Sequence, residues 1–155
     1  MTPDPDIPPE YTPEEWQSYQ RDPCSWCIKE LSNPDPNIRC NAADILRGLA
    51  QDAEAAIPAL IEGFNDSDQS VRAYCIHAMV DIGYALMGRA SSAVPALASL
   101  LHDKSAEIRT LAAHALGAIG PSAEAAAHEL RHLHTDTDEN VRGAAEAALA
   151  KIEIK

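Results

Sequence analysis

A-E-I-R-T-L-A-A-H-A-L-G-A-I-G, residues Ala106 to Gly120, is the stretch that decides the fold. Its Ile-Arg start has counterparts at Ile38-Arg39, Val71-Arg72 and Val141-Arg142, and the successive separations are 33, 37 and 33 residues. Return at that period marks a stacked repeat. Aligned on the Arg, the four copies form columns. Seven residues later stand Leu46, Met79, Leu116 and Leu149, and ten later stand Leu49, Ile82, Ile119 and Ile152. At about 100° per residue, positions −1, +3, +6, +7 and +10 share one side of a helix, while +1, +2, +5 and +9 share the other. One stripe packs and the opposite one is free.

A second helix precedes each copy. Its columns are Cys24, Ile57, Val94 and Ala127, then Cys27, Leu60, Leu97 and Leu130, then Leu31, Phe64, Leu101 and His134. Apolar residues three and seven apart describe another packing face, so each repeat is a helical hairpin. Asp35, Asp68, Ser105 and Asp138 stand where an N-cap for the second helix of each hairpin belongs.

The words I-P-A-L-I-E-G-F-N-D-S-D-Q-S-V-R (57 to 72), V-P-A-L-A-S-L-L-H-D-K-S-A-E-I-R (94 to 109) and A-A-H-A-L-G-A-I-G (112 to 120) resemble the HEAT repeats, in the bacterial form found in phycobilisome-lyase-like proteins. The resemblance runs from about Pro23 to Ile152. With the periodicity it implies an all-α, right-handed α-solenoid of four HEAT-like hairpins with a short N-terminal capping helix. For function it implies a binding surface, because repeat solenoids are mostly surfaces. It also admits a phycobilin-lyase-like enzyme or a chaperone subunit, although no residue here marks a bilin site.

Composition narrows the classes. The 155 residues hold 24 Asp and Glu against 12 Lys and Arg, a formal charge of −12, and only 5% are aromatic. Four of the cations are the repeated Arg residues, expected to brace neighbouring turns, so no basic track is left for nucleic acid. No run of eighteen apolar residues exists, and the first Lys or Arg is Arg21. Neither a membrane span nor a secretory signal is readable, and a cytoplasmic location is the default expectation. The four cysteines are read as thiols.

Residues 1 to 12, with four prolines among acids, read as a flexible acidic tail, and 13 to 155 as one domain with repeats at about 23–51, 52–88, 89–121 and 122–155. Thr12-Pro13-Glu14-Glu15 forms a capping box, predicting a helix through about Gln20 whose Trp16 and Tyr19 cover the first repeat. The four extra residues of the middle period belong at residues 83 to 88, where they either prolong a helix or enlarge one end of the binding face. The last copy lacks the Leu-Gly-x-Ile-Gly ending and reads as the C-terminal cap.

Three patterns invite chemistry. Cys24-Ser-Trp-Cys27 has C-x-x-C spacing, but both thiols stand in core columns. His128-Glu129-Leu130-Arg131-His132 matches H-E-x-x-H, which could make a zinc hydrolase, yet a third ligand is required and the metzincin continuation fails, since residues 135 and 138 are Thr and Asp. HEAT-like di-iron hydroxylases carry His-Glu pairs after the Arg, and no copy has one here. The expectation is therefore no catalytic residue, cofactor or metal.

The free stripe is the better candidate. Column +2 is Asn41, Tyr74, Leu111 and Ala144; column +5 is Asp44, His77, His114 and Ala147; column +9 is Gly48, Asp81, Ala118 and Lys151. Stacking turns these columns into ladders along a concave wall. Tyr74 and Leu111 are expected on its water-facing surface beside His77 and His114. With Asp44 and Asp81 they compose the expected partner-binding site, for a protein neutral or cationic at its contact surface.

Overall fold

The computed structural model describes residues 12 to 154, so the expected tail lies outside the described residues except for Thr12. Among the described residues the elements are all helical. A capping helix, α1 (Pro13–Arg21), precedes four hairpins: α2 (Pro23–Glu30) with α3 (Pro36–Leu49), α4 (Ile57–Gly63) with α5 (Gln69–Leu86), α6 (Val94–Leu100) with α7 (Ala106–Ile119), and α8 (Ala127–His132) with α9 (Glu139–Ile152). Between hairpins, 3-10 segments at Ala50–Ala56, Met87–Ala93 and Gly120–Ala126 lead into the next first helix.

Capping follows the residues. Thr12 and Glu15 form the reciprocal box that starts α1, and Asp35, Asp68 and Asp138 accept backbone N–H bonds at the starts of α3, α5 and α9. Ser105 holds the same extended backbone before α7 without a side-chain cap bond. Trp16 stacks on Tyr19 at 5.3 Å between ring centroids, and Tyr19 meets Trp26 edge-on at 5.5 Å, covering the open end of the first hairpin.

The second helices pack directly, α3 on α5, α5 on α7 and α7 on α9. Small residues make this possible. Ala42, Ala78, Ala112, Ala115 and Ala145 are fully buried, and a Cβ added to Gly117 would come within 3.0 Å of the Ala148 backbone. First helices instead meet the neighbouring repeat through the 3-10 segments. The more closely stacked second-helix wall is the shorter side of the solenoid and hence its concave one. Leu46, Met79, Ile82, Leu116 and Leu130 fill the space between the layers with no exposure.

The Arg column holds the turns as expected. In every copy Nη1 donates to the carbonyl six residues back, at 2.8 Å for Arg39, Arg72 and Arg109 and 2.7 Å for Arg142. Arg39 and Arg109 also reach forward one repeat. Each places Nε and Nη2 2.8 Å from the two carboxylate oxygens of Asp66 or Asp136. Those carboxylates in turn accept the N–H of Asp68 or Asp138, which are the next N-caps. Bonding to the guanidinium holds Asp66 and Asp136 below the usual carboxylate range.

The extra four residues prolong a helix: α5 has 18 residues where α3, α7 and α9 have 14. The added turn shifts the forward partner of Arg72 to Asp103, and among the described residues that pair does not form. At the ends of α3, α5 and α7 the chain turns with positive φ: 42° at Ala50, 51° at Met87 and 73° at Gly120. Only the last has the residue that accepts this conformation without strain.

Two outcomes follow for stability. Asp136→Ala strands a largely buried guanidinium and is expected to cost about 3 kcal/mol in urea unfolding, against about 1 kcal/mol for Asp103→Ala, which loses a backbone bond to Ser105. Because the folded values of Asp66 and Asp136 are depressed, the wild type keeps this stability above the unfolded value of about 3.9 and loses it as pH falls through the lower folded values. Met87→Gly should stabilise by about 1 kcal/mol, raising Tm by roughly 2–4 °C in a thermal scan, since the removed side chain is 69% exposed.

Candidate functional site

All six expected site residues lie on the second helices, Asp44 on α3, Tyr74, His77 and Asp81 on α5, and Leu111 and His114 on α7. Tyr74 is 40% exposed, and His77 and His114 are exposed beside it. Two expectations need correction. Leu111 does not face water: it is 8% exposed on α7, which packs between α5 and α9, although Asn41 and Tyr74 of the same column are exposed. Asp44 and Asp81 are not free anions either. Arg47 stands between them, with Nη2 2.8 Å from Asp44 Oδ1 and Nε 3.9 Å from Asp81 Oδ2.

Two adjoining grooves run along the wall. The larger, about 840 Å³, is bounded by His77, Glu107, Thr110, His114, Glu139 and Gly143, with Leu111 and Ala144 on its floor. The smaller, about 520 Å³, takes Arg47, Gln69, Ser70, Ala73 and Tyr74 and shares His77 and Glu107 with the first. The six expected residues thus divide: Leu111 and His114 line the larger groove, Tyr74 the smaller, His77 both, while Asp44 and Asp81 line neither.

Sequence reasoning missed Glu107, Thr110, Glu139 and Gly143. Glu107 and Glu139 occupy the first turns of α7 and α9, next to the cap positions, and Thr110 and Gly143 follow the Arg of each helix, where the sequence reading looks only for His-Glu pairs. A signal was available: two residues before each Arg stand Asn37, Ser70, Glu107 and Asn140, polar in every copy.

The electrostatics are uneven. The larger groove has Glu107, Asp138 and Glu139 on its rim and no Lys or Arg among its lining residues. Asp138 is committed to capping α9, whereas Glu107 and Glu139 make no ion pair among the described residues. At the other end of the helices Lys151 donates to the Tyr84 hydroxyl and lies 4.8 Å from that ring's centroid, joining the extra turn of α5 to α9. Burial, then Lys151 and His77, hold the His114 imidazole below its ordinary value.

The other patterns sit elsewhere. His128 and His132 are exposed with ring centroids 4.6 Å apart, while Glu129 Oε2 is buried without a hydrogen-bond partner. Among the described residues no group of three or more His, Cys, Asp or Glu is arranged to hold a metal ion. Cys24, Cys27, Cys40 and Cys75 are free thiols. Burial pushes Cys27 up to about 12, far from the thiolate a redox centre needs. Among the described residues no helix is long and apolar enough to cross a membrane.

The HEAT-repeat family profile matches residues 24–89 and 85–150. Comparison with curated proteins gives no match. Among solved structures, an engineered protein aligns with a TM-score of 0.70 at 24% identity over 84% of this chain, which spans 62% of that protein's length. A designed armadillo repeat protein in complex with the peptide (KR)4 gives 0.72 at 19% identity, covering 90% of this chain and 68% of that one. The complex of CpcE and CpcF of phycocyanin lyase from Nostoc sp. PCC7120 gives 0.62 at 21% identity, covering 83% and 77%.

The depression of His114 is directly measurable. In an NMR titration its imidazole should have its midpoint below the unperturbed value of about 6.5, and Lys151→Met should move that midpoint upward. An unchanged midpoint in the variant would remove Lys151 from the account.

Proposed function

The chain belongs to the HEAT-repeat family, and from that premise we propose that it works as a non-catalytic protein-recognition module whose partner segment lies along the concave second-helix wall. The observation that carries this reading is the pair of adjoining grooves across α3, α5, α7 and α9, open to solvent and floored by small and apolar side chains. Groove walls built from stacked helices are rigid, so little ordering cost falls on the module when a partner binds. Tyr74 offers an amphipathic ring at the mouth of the smaller groove, the kind of side chain that dominates interface energetics.

The solved relatives support a binding role in general terms: one was described with a bound peptide, another as a two-protein complex. The partner's contact surface is proposed to be neutral or cationic, given a formal charge of −12. A phycobilin-lyase-like or chaperone role is the second reading. It is supported by likeness in fold to the phycocyanin lyase complex, and its sign would be a bilin absorbance change on mixing. A cytoplasmic setting is proposed with the first reading.

Affinity capture from a lysate of the source organism tests the site. A Cβ added to Gly143 meets nothing within 4 Å, so Gly143→Tyr fills the larger groove without disturbing α9. A partner retained by wild type and lost by both Gly143→Tyr and Tyr74→Ala, each with unchanged circular dichroism, is the expected result. Equal capture by all three proteins would move the site off this wall.

A further inference from the structure

The larger groove discriminates by charge, and its position in the fold says how. Its floor is apolar, with Leu111 and Ala144 nearly buried and Gly143 leaving room above them. Besides Asp138, which caps α9, its rim carries two carboxylates on different helices, Glu107 in the first turn of α7 and Glu139 in the first turn of α9. Neither is neutralised by an ion pair among the described residues, in contrast to Asp66, Asp136, Asp44 and Asp81. The lining offers no cation, only the imidazoles of His77 and His114, and His114 is held toward its neutral form.

Resting on the reading of the concave wall as the binding face, we infer that the larger groove takes an extended, lysine- or arginine-bearing polypeptide segment that crosses α7 and α9. Adjacent stacked helices lie about 8–10 Å apart, and an extended chain rises about 3.3 Å per residue. For carboxylates borne on neighbouring helices of one groove, that spacing corresponds to basic side chains two or three residues apart. A small or apolar residue between them lies over Leu111 and Ala144. The acids outside the groove contribute only a diffuse field, screened within about 10 Å at ordinary salt. Glu107 and Glu139 thus set the specificity, and Asp44 and Asp81, which share Arg47 and line neither groove, do not.

The test uses the full chain and three labelled eight-residue peptides of equal length: one alternating lysine with alanine, one replacing lysine by glutamine, one replacing it by glutamate. Binding is followed by fluorescence anisotropy at about 0.05 and 0.3 M salt. Wild type should bind the lysine peptide at least about tenfold more tightly than the others, less so at high salt. The E107Q/E139Q double variant should lose about tenfold for that peptide alone. E62Q/E124Q makes the same change of net charge at exposed sites outside both grooves and should lose almost nothing. Equal losses in the two double variants, or no binding of the lysine peptide by wild type, would overturn the inference. The broader reading is tested separately by Gly143→Tyr. If that variant weakens binding of any peptide irrespective of charge, the concave site stands and only its preference for cations is wrong; if it changes nothing, the concave site falls too.

Discussion

Each repeat depends on a guanidinium that holds its inter-helix turn. In all four copies the Arg after the Ile or Val closes its own inter-helix turn by donating to a carbonyl six residues back, which fixes the angle between the two helices of a hairpin. In two copies the same side chain bridges forward to an Asp, and that Asp accepts the N–H of the next cap residue. Turn, stack and cap thus share one network of charge-assisted bonds. Its members are 9–15% exposed, so each relies on the others for the hydrogen bonds water would otherwise supply.

With the turns held there, the second helices meet closely through alanines and make one wall. Its unspent groups are the side chains that cap positions push to the rim. Glu107 and Glu139 sit near helix N-termini, where a carboxylate also favours the helix through the backbone dipoles. A structural preference for acids in the first turn makes the groove acidic at one edge, while Arg47 lies between Asp44 and Asp81 elsewhere on the wall.

The extra turn of α5 breaks the regularity once. It leaves Arg72 with its own turn but not the forward pair, and it brings Tyr84 to Lys151 on α9. The middle junction exchanges a nearly buried ion pair for an exposed contact, and exposed pairs contribute little. The solenoid is therefore built as two clamped halves, hairpins one with two and three with four, joined across packed apolar faces.

The sequence alone determined the hairpins, most of their core columns, the capping box at Thr12, the bracing Arg residues and the place of the extra residues. All of these are local or repeat within the chain, so position alone reveals them. His134, expected in a core column, is instead exposed, and Leu133 is buried in its place. The free stripe of the second helices was legible as a stripe, and Tyr74, His77 and His114 are exposed on it. What only the tertiary structure decided was which of its members remain available. Leu111 is covered because two neighbouring helices approach it, and Asp44 and Asp81 share a cation because α3 brings Arg47 between them. Glu107 and Glu139, read one repeat at a time, are merely first-turn acids; stacking sets them on one groove, and the spacing of packed helices, not any residue's identity, makes them a site.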